Sequence, residues 1–173
     1  MTNRKPKLLI VEDDPSLLRD YQVIFAAYGD SLDIVTAKDA FETLQFLKEI
    51  ETRPQAMVLD LMLPYGKKEA RGLLKAESDP NEIDTGVRIL EYLRRLEKDS
   101  GEKRIWVAVV TARSAWAVAE RVEELLGASG RIFLKPFDTL WLEEVVIRAM
   151  GIPSHLPPDL FAQSDPSAGE DQS

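Results

Sequence analysis

Side chains able to do chemistry stand just past the ends of short apolar runs. Glu12 and Asp13 follow the run 8–11 (Leu-Leu-Ile-Val), and Asp60 closes the run 56–60 (Ala-Met-Val-Leu-Asp). Thr111 follows the run 107–110, and Lys135 follows the run 131–134. An aspartate within an apolar run is costly to bury unless something pairs with it. If these run ends meet, Glu12, Asp13, Asp60, Thr111 and Lys135 share one small volume. Two carboxylates about 4 Å apart repel by about 4 kcal/mol at an effective dielectric of 20. Lys135 supplies one compensating charge, and a hard divalent cation supplies the rest. All-oxygen donors from a few carboxylates, with water completing the shell, suit Mg²⁺. A cation, an ammonium and a hydroxyl around a carboxylate form a phosphoryl-binding arrangement. Asp60 is then the nucleophile that forms an acyl phosphate.

The elements that position these groups follow from periodicity. The run 8–11 suits a strand covered on both faces. Leu17, Leu18, Tyr21, Ile24, Phe25 and Tyr28 then recur at helical spacing, with Asp14 or Ser16 as the cap and Gly29 as the stop. A strand over 32–36 alternates, and Ala40, Phe41, Leu44, Leu47 and Ile50 mark a second helix before Pro54. The third strand, 56–60, leads into an irregular stretch, 64–84, basic first and acidic later, with a short helix near Glu69 to Glu77. Ile89, Leu90, Leu93 and Leu96 mark the next helix, and 104–110 a fourth strand. Ala115, Val118, Ala119, Val122, Leu125 and Leu126 form another helical face, stopped by Gly127. The strand 131–134 and a helix carrying Leu142, Val145, Val146 and Ala149 complete the pattern. Five strands alternating with five helices predict an α/β fold, a doubly wound parallel sheet with helices on both faces. Sites in such sheets form at the carboxyl ends of the strands, where every flagged residue falls.

Bulk properties narrow the function. The 173 residues suffice for one domain with a full core. A net charge of −8 argues against a nucleic-acid-binding surface as the main business of the chain. The absence of cysteine excludes disulfides and thiolate chemistry. No apolar run approaches the ~18 residues of a membrane span, and the first is too short for a signal peptide. A cytoplasmic location is expected. From Ile152 onward the composition turns to Pro, Ser and acids, so 152–173 is predicted to be a flexible tail, with Leu156, Leu160 and Phe161 able to dock.

The order Leu-Ile-Val-Glu-Asp-Asp, Leu-Asp-Leu-Met-Leu-Pro, Val-Val-Thr-Ala-Arg, Leu-Lys-Pro-Phe resembles the receiver domain of two-component response regulators. The likeness covers about residues 7–150, within a domain 1–151. It implies a flavodoxin-like (βα)5 sheet in order 2-1-3-4-5 and a cis Lys135–Pro136 bond. It implies that Asp60 accepts a phosphoryl group from a histidine kinase or histidine phosphotransfer protein. Asp13 would ligate Mg²⁺ directly, Glu12 would assist, and the backbone carbonyl of Met62 would join Asp60 among the ligands. Lys135 would pair with the phosphoryl group, and Thr111 would swing in to hydrogen-bond it. Met62 and Arg113 would tune dephosphorylation. Such a chain is a signalling receiver rather than an enzyme proper. Its output would run through a downstream effector, a phosphorelay or a phosphorylation-dependent homodimer, with no direct nucleic acid binding and no membrane.

Three departures from that pattern stand out. Ile132 occupies the position where the family commonly has an aromatic switch residue, and alternation points Phe133 to the opposite face. Gly86 stands 26 positions past Asp60, so a loop over 64–85 carries roughly eighteen extra residues. That insertion reads as a solvated loop or as a lid over the site. No output domain follows within the sequence. Beside the receiver stand a receiver-like interaction module that is never phosphorylated and a flavodoxin-like cofactor binder. The acidic Glu12-Asp13-Asp14 has the wrong charge for a phosphate loop, and Met62 lacks the second acid of an aspartate-nucleophile phosphatase. Taken alone, Asp14 is a helix cap, and His155 is a tail residue without a phosphohistidine or metal role. Trp106 is a core residue, while Trp116 and Trp141 are core or an exposed partner patch.

Overall fold

The computed structural model describes residues 4–49, 51, 53–75, 85–112 and 116–157. Five parallel strands form one sheet in the order β2-β1-β3-β4-β5. They are β1 (Lys7–Val11), β2 (Asp33–Ala37), β3 (Ala56–Asp60), β4 (Trp106–Thr111) and β5 (Gly130–Leu134). The apolar runs become the inner strands because helices cover both faces there. All of β3 is buried, and β1 from Leu8 and β4 from Val107 are buried too. Parallel neighbours need crossovers, and α1 (Pro15–Phe25), α2 (Ala40–Lys48), α4 (Thr85–Ser100) and α5 (Trp116–Leu126) supply them, while α6 (Thr139–Ala149) follows β5 and packs on the sheet. An added helix, α3 (Lys68–Leu73), lies between β3 and α4.

The two-residue period of the strands divides the core in two. Leu9, Val11, Met57, Leu59, Val107 and Val109 face α2, α3, α4 and α5. Leu8, Ile10, Ala56, Val58, Ala108 and Val110 face α1 and α6. Each fully buried Leu, Ile or Val contributes about 1.5–3 kcal/mol of transfer free energy. Ile132 packs against the first core and Phe133 is fully buried in the second, as alternation predicts.

Asp14 caps α1, its carboxylate accepting from the Ser16 and Leu17 N–H groups at 2.7 and 3.3 Å. The stop at Gly29 needs correction. α1 ends at Phe25 and tightens into a 3-10 turn over Ala26–Tyr28, with Gly29 right-handed at φ −55°. The tighter turn accompanies burial of Tyr28, whose hydroxyl donates to Glu143 at 2.9 Å. Gly127 does stop α5, at φ +51°, a conformation that glycine adopts without a Cβ clash.

The insertion departs most from expectation. Its first half is partly packed and partly solvated, with 66–69, Gly72, Leu73 and Lys75 exposed. Leu63, Tyr65, Ala70 and Leu74 are buried in the first core. The Pro64 and Tyr65 carbonyls accept from the Ala40 and Phe41 N–H groups at 3.0 and 3.2 Å, satisfying donors at the start of α2. Lys67 stands 4.0 Å above the Phe41 ring and Arg71 4.4 Å from the centre of Tyr65. The predicted short helix exists as α3 and ends at Leu73, with Lys75 just beyond it in the left-handed region at φ +54°. The apolar residues of 63–74 outweigh its charges, so the segment buries its stripe. The acidic half, 76–84, lies outside the described residues.

Trp106 opens β4 half-buried against the second core. Trp141 packs on Phe133 with ring centroids 4.6 Å apart and has the Arg131 guanidinium 5.1 Å above it, so it belongs to the core side. The Trp116 side chain, Leu160 and Phe161 fall outside the described residues. Ile152 is buried in the second core, and the His155 ring lies 4.6 Å from that of Tyr28. The chain just past α6 is thus held against α1 and α6.

Candidate functional site

The carboxyl ends of β1, β3, β4 and β5 bring together residues that are up to 123 positions apart in sequence. Lys135 Nζ lies 2.5 Å from Asp60 Oδ2 and 3.2 Å from Glu12 Oε2. The other oxygens are also engaged. Asp60 Oδ1 accepts from the Met62 N–H at 2.8 Å, and Glu12 Oε1 from the Asp14 N–H at 3.2 Å. Glu12 is 1% exposed and Asp60 7%. Those values place both carboxylates within the protein, where an unpaired charge is costly. Thr111 ends β4, buried, and its carbonyl accepts from the Lys135 N–H at 2.8 Å. That bond joins the ends of β4 and β5 beside the site. The Lys135–Pro136 peptide bond is cis.

Electrostatics follow from this packing. Burial pushes the Glu12 carboxyl above its ordinary range, and Asp60 pushes the same way, while Lys135 and the Asp14 N–H oppose them. Burial alone would lower the Lys135 ammonium. The hydrogen bond and charge of Asp60, with Glu12 behind it, outweigh that and hold it above the usual lysine value. Tyr21 had no place in the sequence reading beyond its helix face. It is 3% exposed on α1 and feels all three charges. Burial first, with Glu12 and Asp60 and against Lys135, drives its hydroxyl up to about 12. Its helical spacing gave only a core signal.

The sequence-flagged residues are not all equally close. Glu12, Asp60 and Lys135 meet, and Thr111 borders them. Asp13 stands exposed at the next position. Among the described residues, no three His, Cys, Asp or Glu side chains are gathered as a metal-holding group. Lys135 bridges Glu12 and Asp60, and the exposed Asp13 adjoins the first of them in the chain. One ammonium offsets only one of the two carboxylate charges, and two carboxylates about 4 Å apart repel by about 4 kcal/mol at an effective dielectric of 20. Met62 is 51% exposed beside Asp60. Arg113 lies outside the described residues.

Gly86 explains how the site tolerates the insertion. Its N–H donates to the Leu61 carbonyl at 3.0 Å. A Cβ there would come within 2.5 Å of the Asp60 carbonyl oxygen and of Leu61 Cα. The start of α4 is thus pressed onto the backbone of the Asp60 loop. However long the intervening chain, its return point is fixed by this contact.

Solved structures share this fold. A CheY-like response regulator receiver domain protein from Methanospirillum hungatei superposes with a TM-score of 0.58 at 19% identity, covering 86% of this chain and 96% of that one. A response regulator receiver protein from Pseudoalteromonas atlantica gives 0.60 at 15%, covering 84% and 98%. The receiver domain of a sensor histidine kinase from Pseudomonas aeruginosa, described with a magnesium ion coordinated in its active site cleft, gives 0.57 at 17%, covering 86% and 99%. No protein-family model matches the sequence, and no curated protein does. The chain has the fold of response regulator receiver domains: a five-stranded parallel sheet in order 2-1-3-4-5 with helices on both faces. Among the described residues, no helix is long and apolar enough to cross a membrane.

Proposed function

We propose that this chain is a phosphorylation-dependent signalling receiver with Asp60 as its phosphoryl acceptor. The observation that carries the reading is the Lys135 ammonium held between Asp60 and Glu12 at the carboxyl edge of the sheet. An Asp60 oxygen attacks phosphorus, forming the O–P bond of an acyl phosphate. The P–N bond of a phosphohistidine breaks, and the imidazole leaves with the electron pair and takes a proton. The Lys135 ammonium would offset the negative charge that accumulates on the phosphoryl oxygens, and the Thr111 hydroxyl would swing in to hydrogen-bond one of them.

The hard oxygen donors here fit Mg²⁺ in kind, since the buried Glu12 and Asp60 already share one cationic partner. Asp60, Asp13, Glu12 and the Met62 carbonyl are the groups that would hold it. When bound, the metal supplies positive charge that offsets the phosphoryl oxygens. The donor would be a histidine kinase or histidine phosphotransfer protein in the cytoplasm. Output passes to a downstream protein or a second copy through a shift between two conformations that couples Thr111 to α5, β5 and α6.

Incubation with acetyl phosphate and Mg²⁺ should add one phosphoryl group to the wild type and none to Asp60→Asn, read by intact mass. Labelling that persists in Asp60→Asn overturns the site. A second reading is an interaction module that is never phosphorylated. Ile132 favours it, because it sits in the first core where an aromatic switch residue commonly stands. A wild type that forms no acyl phosphate with Mg²⁺ would decide for that reading.

A further inference from the structure

The net charge is −8, yet the chain carries one strongly basic cleft. The cleft, of about 750 Å³, is bounded by the end of α3, by α4 and by α5. Among the described residues, seven cationic side chains and two carboxylates line it, a local charge opposite to that of the whole protein. Lys75 enters from the end of α3, Arg88, Arg95 and Lys98 from α4, and Arg121 from α5. Leu74 and Leu125 supply apolar wall. None of the site residues lines it.

The two carboxylates are already engaged. Glu97 accepts from Arg94 at 2.8 and 2.9 Å, and Glu91 accepts from Arg121 at 2.9 and 3.1 Å. Arg94 also donates to the Leu125, Ile105 and Ser129 carbonyls at 2.8, 3.1 and 3.3 Å. This buried arginine fastens α4 to the end of α5 and to the chain entering β4. The wall of the cleft is therefore built before anything binds, which lowers the ordering cost of association. Arg95 and Lys98 stand exposed upon it.

We propose that this cleft docks an acidic, partly apolar segment of a partner protein. Charge complementarity selects the carboxylates of such a segment, and Leu74 and Leu125 select its apolar side chains. A nucleic acid fits less well. Glu91 and Glu97 within the cleft oppose phosphates, and a net charge of −8 repels a long polyanion more than a segment with few carboxylates. The chain just past the inserted α3 adds Leu74 and Lys75 to this surface, and α4 supplies most of its cations. The proposal does not depend on the chemistry of Asp60.

Fluorescence anisotropy on the full chain tests it. The probes are a short labelled peptide of Glu-Glu-Leu repeats and a single-stranded oligodeoxynucleotide of equal length. The peptide should bind more tightly than the oligonucleotide, and salt should weaken it. Arg95→Glu with Lys98→Glu should weaken the peptide by at least about tenfold. Arg19→Glu with Lys48→Glu makes the same net charge change on exposed positions of α1 and α2. It should leave the affinity within about twofold. Failure of the peptide to bind, tighter binding of the oligonucleotide, or equal weakening by both double variants overturns the proposal. Asp60→Asn should bind the peptide as the wild type does, so failure of the phosphoacceptor reading leaves this result standing.

Discussion

Lys135 is the counter-charge on which two buried carboxylates depend. Its side chain is 22% exposed, so its loss should fall below the ~3–5 kcal/mol expected for a wholly buried pair. Lys135→Met should destabilise the fold by about 1–3 kcal/mol at neutral pH, read by urea unfolding. The pH dependence has a definite sign. The Lys135 pKa is raised on folding, so its contribution is whole below the ordinary lysine value and is lost as pH rises through the folded one. The Glu12 pKa is also raised, chiefly by burial, so its ionisation costs stability as pH rises from the ordinary carboxylate range to the folded value. Without Lys135 that cost grows. The stability gap between Lys135→Met and the wild type should therefore narrow as pH falls from about 7 to about 4.5. A gap constant across that range would remove the charge balance as its cause.

At the scale of elements, α4 matters to the site through one contact. Gly86 lies against the Asp60–Leu61 backbone with no room for a Cβ. Gly86→Ala should push the start of α4 off that backbone and cost about 1–3 kcal/mol in thermal or urea unfolding. Labelling by acetyl phosphate should slow with it, because the Met62 N–H that orients Asp60 lies in the same loop. Wild-type stability and labelling in this variant would show that the contact does not hold the loop. The sequence marked Gly86 only by its distance from Asp60. Its role became visible once α4 was seen to land on Leu61. Likewise α3 had a legible signal in Ala70 and Leu74, four apart, with Leu63 and Tyr65 ahead of them. The helix was legible, but the surrounding lysines and glutamates masked its burial.

At the scale of the molecule, the chain past α6 closes the second core. Ile152 is buried, the Ser154 hydroxyl donates to Glu144, and the His155 N–H donates to the Tyr28 hydroxyl at 3.2 Å. Tyr28 in turn donates to Glu143, a carboxyl that burial raises above its ordinary range. Truncation after Gly151 should lower stability by about 1–3 kcal/mol, from lost apolar burial and hydrogen bonds. An unchanged urea midpoint in the truncated chain would show that this segment adds nothing. Composition alone, rich in Pro and Ser, gave no sign that its first residues are held. Local residue counts do not register a partner more than a hundred positions away.

The sequence by itself determined the strands, their parallel order of use and the residues at their carboxyl ends. Short apolar runs with a two-residue period leave little choice of face, and right-handed crossovers leave little choice of topology. It also placed Asp60, Glu12, Thr111 and Lys135 on one edge of the sheet. Tertiary structure decided which of those charges touch. Lys135 joins Asp60 to Glu12, while Asp13 at the next position is exposed. It also decided that Tyr65, Ala70 and Leu74 of the insertion belong to the core, and that lysines and arginines scattered from 75 to 121 share one cleft. Both depend on contacts between elements distant in sequence, which no local pattern encodes.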